Sequence, residues 1–268
     1  MVNMNDYLVP NEAKRSDDIL NFTSALRAAS DQYPVDEADS RNIIAGFTDI
    51  MTGDVVMEDV FERLGNGCYK ECFRLNRNLV IKFASECNRT DQEEDILNRA
   101  EEAGISDIFL PTWFVYLESF HPELCVLSDD ASGQMTYNSQ YQTYVTNPDF
   151  CGERADAVLI QARIWKTCGD IGGFRRLSNN YHDYHRDSPL TDPKTGEVID
   201  FDEARDWCIS DADWLQEVLN YYGAEFFHNA ARFMSDNQMY DLHQDNIGYL
   251  VDADGKLRPV ILDWLSGN

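Results

Sequence analysis

Tyr240-Asp241-Leu242-His243-Gln244-Asp245-Asn246-Ile247-Gly248-Tyr249 is followed by a hairpin-like stretch and then by Val260-Ile261-Leu262-Asp263-Trp264. These segments place an aspartate, an asparagine five residues later, and a second aspartate at the end of an apolar strand. A carboxylate such as Asp241 orients and deprotonates a hydroxyl, and the oxygens of Asn246 and Asp263 are hard donors suited to Mg²⁺. Alone, D-x-x-x-x-N turns up by chance, and Asp241 reads equally as a turn former. Its weight comes from what lies upstream. Leu64-Gly65-Asn66-Gly67-Cys68-Tyr69-Lys70 is a glycine turn between two strand-like runs, and Leu79-Val80-Ile81-Lys82-Phe83-Ala84 puts a lysine inside an apolar strand.

Outward from these segments the chain is legible by period. Residues 1–54 read as a helical extension: Asp17 to Ala29 has helical apolar spacing, a Tyr33-Pro34 break follows, and Val35 to Met51 is helical again. Strand-like runs cover Val55 to Leu64, Cys72 to Leu75, Leu79 to Ala84, Phe109 to Leu117 and Ala157 to Ile164. A helix is expected from Asp91 to Ala103, ended by Gly104. Glu118 to Asp156 is a long polar stretch and reads as a surface insertion. Trp165 to Asp206 is irregular and rich in Gly, Asp, Asn and Tyr. From Asp213 one long amphipathic helix is expected, with Leu215, Leu219, Tyr222, Phe226, Ala230 and Phe233 on its apolar stripe.

The 268 residues, 43% apolar and 12% aromatic, are enough for one large domain or two lobes. No run of about 18 apolar residues occurs, so no membrane span is expected. The N-terminus lacks a signal peptide's pattern. The seven cysteines (68, 72, 87, 125, 151, 168, 208) are odd in number and form no C-x-x-C pair. They read as reduced thiols, which places the chain in a cytoplasm. Forty-eight acidic against 22 basic residues give a net charge of −26. Such a surface repels nucleic acid and anionic membranes and attracts basic partners. The acids are scattered rather than gathered in a tail, so solubility alone also accounts for them.

Several groups then stand out. Gly65 and Gly67 let backbone amides approach phosphate oxygens, although two glycines between strands are often only a hairpin. Lys70 stands where a third glycine of G-x-G-x-x-G would be. Lys82 on its strand reads either as a solvated side chain or as a phosphate-binding cation. Glu93, with Ile96 and Leu97 three and four residues on, would face inward; Glu94 is its close competitor. His243, two residues after Asp241, reads as structural or as a hydrogen-bond donor to a phosphoryl group.

Taken in order, these elements resemble a protein-kinase-like phosphotransferase. The helical leader, Leu-Gly-Asn-Gly turn, Ile-Lys strand and Asp-x-His-x-x-Asn loop are most similar to the short early serine/threonine protein kinases of lytic bacteriophages. The resemblance covers about residues 55–268. It implies an α+β bilobal kinase-like fold: a five-stranded antiparallel N-lobe over 55–165 and a shortened helical C-lobe over 166–268, with Mg²⁺ and ATP bound between them. It implies ATP contacts from Gly65, Asn66, Gly67, Lys70, Lys82 and Glu93, metal binding by Asn246 and Asp263, and catalysis by Asp241, His243 and Lys82. The implied partners are host proteins with basic regions, met in a bacterial cytoplasm. Two other readings stay open. Asp-Leu-His-x-x-Asn and Asp263-Trp264 are shared with aminoglycoside- and choline-kinase-like enzymes. An acidic, non-catalytic inhibitor on a kinase scaffold would bind a basic host protein or mimic nucleic acid. The chain departs from conventional protein kinases: Met239-Tyr240 precedes Asp241, Trp264-Leu265 follows Asp263, and no activation loop follows before Asn268, so either the kinase is very short or a downstream part is missing.

Overall fold

A computed structural model describes residues 12–66, 70–84, 87–118, 125–126, 135–138, 143–146, 153–155, 157–186, 189–239 and 242–264. The protein is mixed α+β and divides into two compact units, Met1–Thr90 with Thr112–Arg163, and Asp91–Pro111 with Ile164–Asn268.

The first unit opens with α1 (Glu12–Gln32), α2 (Glu37–Thr52) and the short α3 (Met57–Val60). Asp36 caps α2 by accepting from Asp39 N (2.8 Å), and Gly53 ends it at φ 79°. The strands β1 (Glu62–Asn66), β2 (Lys70–Arg74), β3 (Leu79–Ala84) and β4 (Thr112–Tyr116) follow. Two small antiparallel pairs come next, β5 (Cys125–Val126) with β8 (Glu153–Arg154) and β6 (Met135–Asn138) with β7 (Thr143–Thr146). These lie in the expected insertion. Strand β9 (Ala157–Ala162) returns to complete a five-stranded antiparallel sheet in the order β1-β2-β3-β9-β4.

Alternation on the pleat decides which residues this sheet buries. Leu79, Ile81, Phe83, Val158 and Ile160 join Phe22, Leu26, Phe47 and Ile50 of α1 and α2 in one core. Phe22 stacks on Phe47 with ring centroids 3.8 Å apart. The helices of the expected N-terminal extension are therefore part of the sheet's own core. The strand expected over 55–64 starts only at Glu62. Met57–Val60 is helical instead, its acidic Glu58 and Asp59 suiting a helix N-terminus, and Phe61 N closes it on Met57 O at 2.9 Å. The strand expected from Phe109 starts at Thr112, after Pro111, which has no N–H to give a ladder.

The second unit takes α4 (Cys87–Glu102) from Asp91 onward, so the helix expected within an N-lobe of 55–165 groups with the C-terminal half. It continues through β10 (Lys166–Thr167), α5 (Cys168–Ile171), α6 (Tyr181–Arg186), α7 (Phe201–Asp206), α8 (Ala212–Tyr222) and α9 (Ala224–Asp236) to the hairpin β11 (Ile247–Val251) and β12 (Leu257–Ile261). Strands β10, β11 and β12 form a three-stranded sheet in that order. Trp207 packs on Trp214 and Phe227, and all three are fully buried.

The single long helix expected from Asp213 is in fact two. Gly223 sits at φ 89°, ψ 171°, which a residue with a Cβ adopts only under strain. The buried Asp192 carboxylate accepts from Ala224 N (3.2 Å) and meets an orphan donor of the new helix. The restart shifts the apolar phase. Phe227 is fully buried, while Phe226, assigned to the stripe by period, is half-buried and stacks on Tyr222. Cys72, Cys168 and Cys208 are free thiols. No helix among the described residues is long and apolar enough to cross a membrane.

Candidate functional site

In the first unit, β1 pairs with β2 through a bulge between Arg63 and Gly65, and a Cβ on Gly65 would meet nothing within 4 Å. Asn66 pairs with Glu71 in register. Gly67 lies outside the described residues. Below the turn the ribbon is pinned by Arg63 Nη2 on the Glu71 carboxylate at 2.6 Å, with Glu71 fully buried. That buried ion pair has no periodic signature and was not anticipated.

Lys82 stands in the middle of the sheet, paired with Cys72 on β2 and Leu159 on β9, and is half-buried. Its neighbours on the same pleat are apolar: Ala84, Ala157 and Leu159, with Phe114 and Tyr116 packed against them. The ammonium lies close enough to act on Cys72. Burial pushes that thiol's pKa up, and the Lys82 charge works against the shift. Lys70 pairs with Ala84 and is also half-buried.

In the second unit, strand pairing sets Asn246 opposite Leu262, the residue before Asp263. Ile247 pairs with Ile261, and one step further Leu262 N donates to Asn246 O at 2.8 Å. Sixteen residues lie between Asn246 and Asp263 in sequence, yet the ladder's open end carries the chain back to Asn246 one residue before Asp263. Both side chains are half-buried.

Residues 243–246 form a tight turn: Asn246 N donates to His243 O at 2.9 Å, and Asp245 N to His243 Nδ1 at 3.2 Å. Accepting at Nδ1 puts the proton of the neutral ring on Nε2. His243 is exposed, as is Asp245. Asp241 lies outside the described residues, while its neighbours Met239 and Leu242 are buried.

Three further groups hold this end of the ribbon. Trp264 is 2% exposed, donates from Nε1 to Glu93 O at 2.9 Å, and meets the Phe109 ring edge-on at 5.0 Å. Glu93 is itself buried and Glu94 only half so, which settles the choice of inward-facing residue on α4. Gly248 lies against β10, where a Cβ would fall 2.5 Å from Lys166 O. Gly169 in α5 donates its N–H to Gln244 O at 3.2 Å, and α5 is fixed by a capping box of Thr167 and Asp170. The roles of Gly169 and Gly248 depend on what the topology packs against them, and period gives no hint of that.

No cluster of three His, Cys, Asp or Glu that could hold a metal occurs among the described residues. Mg²⁺ does not demand one. It keeps several waters and takes one or two protein oxygens together with substrate phosphates, so the Asn246 and Asp263 pair fits it. No protein-family model, curated protein or solved structure matches the chain.

Proposed function

We propose that the protein is an ATP-dependent phosphotransferase of kinase-like organisation, acting on protein hydroxyls as a phage-type serine/threonine kinase does. The observation that carries this reading is the backbone bond of Asn246 to Leu262 at the end of the β11–β12 ladder, which leaves Asp263 next in the chain, with His243 exposed in the adjoining turn. Lys82, set among apolar side chains in the middle of a five-stranded sheet, is the second support.

In this reading Lys82 draws charge from the α- and β-phosphates, and Gly65 and Gly67 give backbone access to them. Asn246 and Asp263 hold Mg²⁺, which neutralises the phosphates when bound. Asp241 accepts the proton of the acceptor hydroxyl as its oxygen bonds to the γ-phosphorus and the bond to the β-bridging oxygen breaks, releasing ADP. His243, with its proton on Nε2, donates to the transferring group.

Asp263-Trp264 favours a second reading, a small-molecule kinase. Incubation with labelled ATP, Mg²⁺ and bacterial lysate separates the two. Labelled protein bands support the protein-kinase reading. Label confined to small molecules moves the substrate class to the second. The absence of any label, with no thermal shift from Mg·ATP, removes both and leaves an acidic kinase-shaped binding protein.

A further inference from the structure

The second unit holds ten basic residues against 26 acidic ones, yet three of the ten line one cavity. The cavity has a volume of about 290 Å³ and is bounded by Arg175, Arg176, Arg186, Ser178, Asp183 and Tyr184, among others. None of the groups assigned to phosphoryl transfer belongs to it.

Its frame is rigid. Residues 175–177 run against 210–212: Ala212 N donates to Arg175 O (2.8 Å), Leu177 N donates to Ser210 O (2.7 Å), and the backbones of Arg176 and Asp211 pair as an isolated antiparallel bridge. Arg175 is fixed on Asp213 by Nε (2.9 Å) and by its backbone N–H (3.0 Å). Tyr184, also in the lining, is buried; its hydroxyl accepts from Leu190 N (2.9 Å) and donates to Ile199 O (3.2 Å), which ties α6 to residues 190 and 199. Arg186, in the last turn of α6, meets Asp183 at 3.2 Å. That pair is exposed, and a pair of this kind yields readily to a better anion.

We propose that this cavity is an anion subsite for a phosphate monoester carried on a basic protein segment. Guanidinium groups match phosphate oxygens with two parallel N–H donors, a geometry an ammonium lacks. The surrounding charge selects the carrier. A polyanion such as RNA would meet a unit with 26 acidic residues against ten basic ones. A single phosphate on a basic segment meets cations in the cavity and carboxylates around it. Phe174 and Tyr181, large and exposed beside the lining residues, offer apolar contact to the flanking chain.

The test is fluorescence anisotropy without nucleotide, so its outcome is independent of phosphoryl transfer. The probes are a labelled basic peptide with one phosphoserine, its unphosphorylated twin, a single-stranded RNA of equal length, and inorganic phosphate as competitor. The phosphopeptide is expected to bind at least about tenfold more tightly than the twin, and phosphate to displace it. Arg176→Glu and Arg186→Glu are each expected to remove most of that advantage, with circular dichroism confirming an intact fold, while Lys82→Ala leaves it unchanged. Equal binding of the two peptides overturns the proposal. So does an advantage that survives both arginine changes, or RNA binding more tightly than the phosphopeptide.

Discussion

Trp264 joins the stability of the second unit to the position of Asp263, and its replacement has a calculable effect. Its side chain makes two distinguishable contributions, a hydrogen bond from Nε1 to Glu93 O (2.9 Å) and buried aromatic packing against Phe109 at 5.0 Å. Trp264→Phe removes the first and most of the five-membered ring while keeping an edge for Phe109. A net hydrogen bond contributes about 1 kcal/mol, and the small void adds a comparable amount, so the variant should lose about 1–2 kcal/mol. Trp264→Ala removes the whole buried aromatic and should lose about 3–5 kcal/mol. Urea unfolding followed by far-UV circular dichroism measures both. For a protein of this size the thermal midpoint should fall by about 2–4 °C per kcal/mol. If the proposed function is right, the alanine variant also lets Asp263 drift from Asn246 and lowers turnover by about 10²-fold, whereas the phenylalanine variant retains most activity. An alanine variant as stable as the phenylalanine one, or losses in both under about 0.5 kcal/mol, would refute the anchoring role.

Other expectations follow from the same contacts. Gly248→Ala drives a Cβ to 2.5 Å from Lys166 O and 3.0 Å from Thr167 Cα, both backbone, and should cost about 1–3 kcal/mol. Gly169→Ala meets only the Asp245 carboxylate, whose side chain is 74% exposed and turns aside, so its cost should stay below about 0.5 kcal/mol; equal melting shifts for the two would contradict this. Burial alone would lower the His228 pKa, but hydrogen bonds and charges from Glu203 and Glu197 outweigh it and raise the value above 6.5. The stability this gives is therefore full below pH 6.5 and lost as pH rises through the raised pKa, and His228→Gln should flatten that limb of a melting-temperature profile. Lys82→Ala and Asp263→Asn change half-buried groups, so both should keep the wild-type dichroism spectrum while abolishing the thermal shift given by Mg·ATP. Asp241→Asn should cut turnover by about 10²–10⁴-fold with ATP affinity near wild type, as measured by steady-state labelling and calorimetry.

The reading from sequence succeeded where a local pattern carries its own answer. Leu79 to Ala84 is apolar throughout except for one lysine, and the strand has those bounds. The hairpin-like stretch expected between Tyr249 and Val260 forms as the β11–β12 hairpin. It failed where an answer depends on neighbours distant in sequence. Ile96 and Leu97 on α4 correctly turned Glu93 inward, but their spacing says nothing about which elements cover that face; α4 groups with the C-terminal half. Period also ran through Gly223 without a fault, because Tyr222 and Phe226 keep helical spacing across it. The glycine itself was the signal, and a break there puts Phe227 in the core. For the candidate site, residue types were legible at Asn246, Asp263, Lys82 and Glu93. The supports at Gly169, Gly248 and Arg63–Glu71 were not, since each exists only once two segments meet.

The β11–β12 hairpin has an implication for how this protein tolerates change in length. The return of the chain to Asn246 at Leu262, just before Asp263, depends on antiparallel pairing between Ile247 and Ile261, not on the number of residues joining them. Residues inserted at Ala253 or Asp254, in the turn, lengthen a loop whose closure entropy grows only slowly. They disturb the local Asp252 bonds to Asp254 N (2.9 Å) and Lys256 N (2.8 Å) and leave the far end in register. A single residue inserted within either strand has the opposite outcome. It reverses the facing of every side chain beyond it, turning Asp263 away and expelling Trp264 from its pocket. The hairpin thus separates a tip open to drift, tagging or grafted peptides from a base where even one added residue is disruptive.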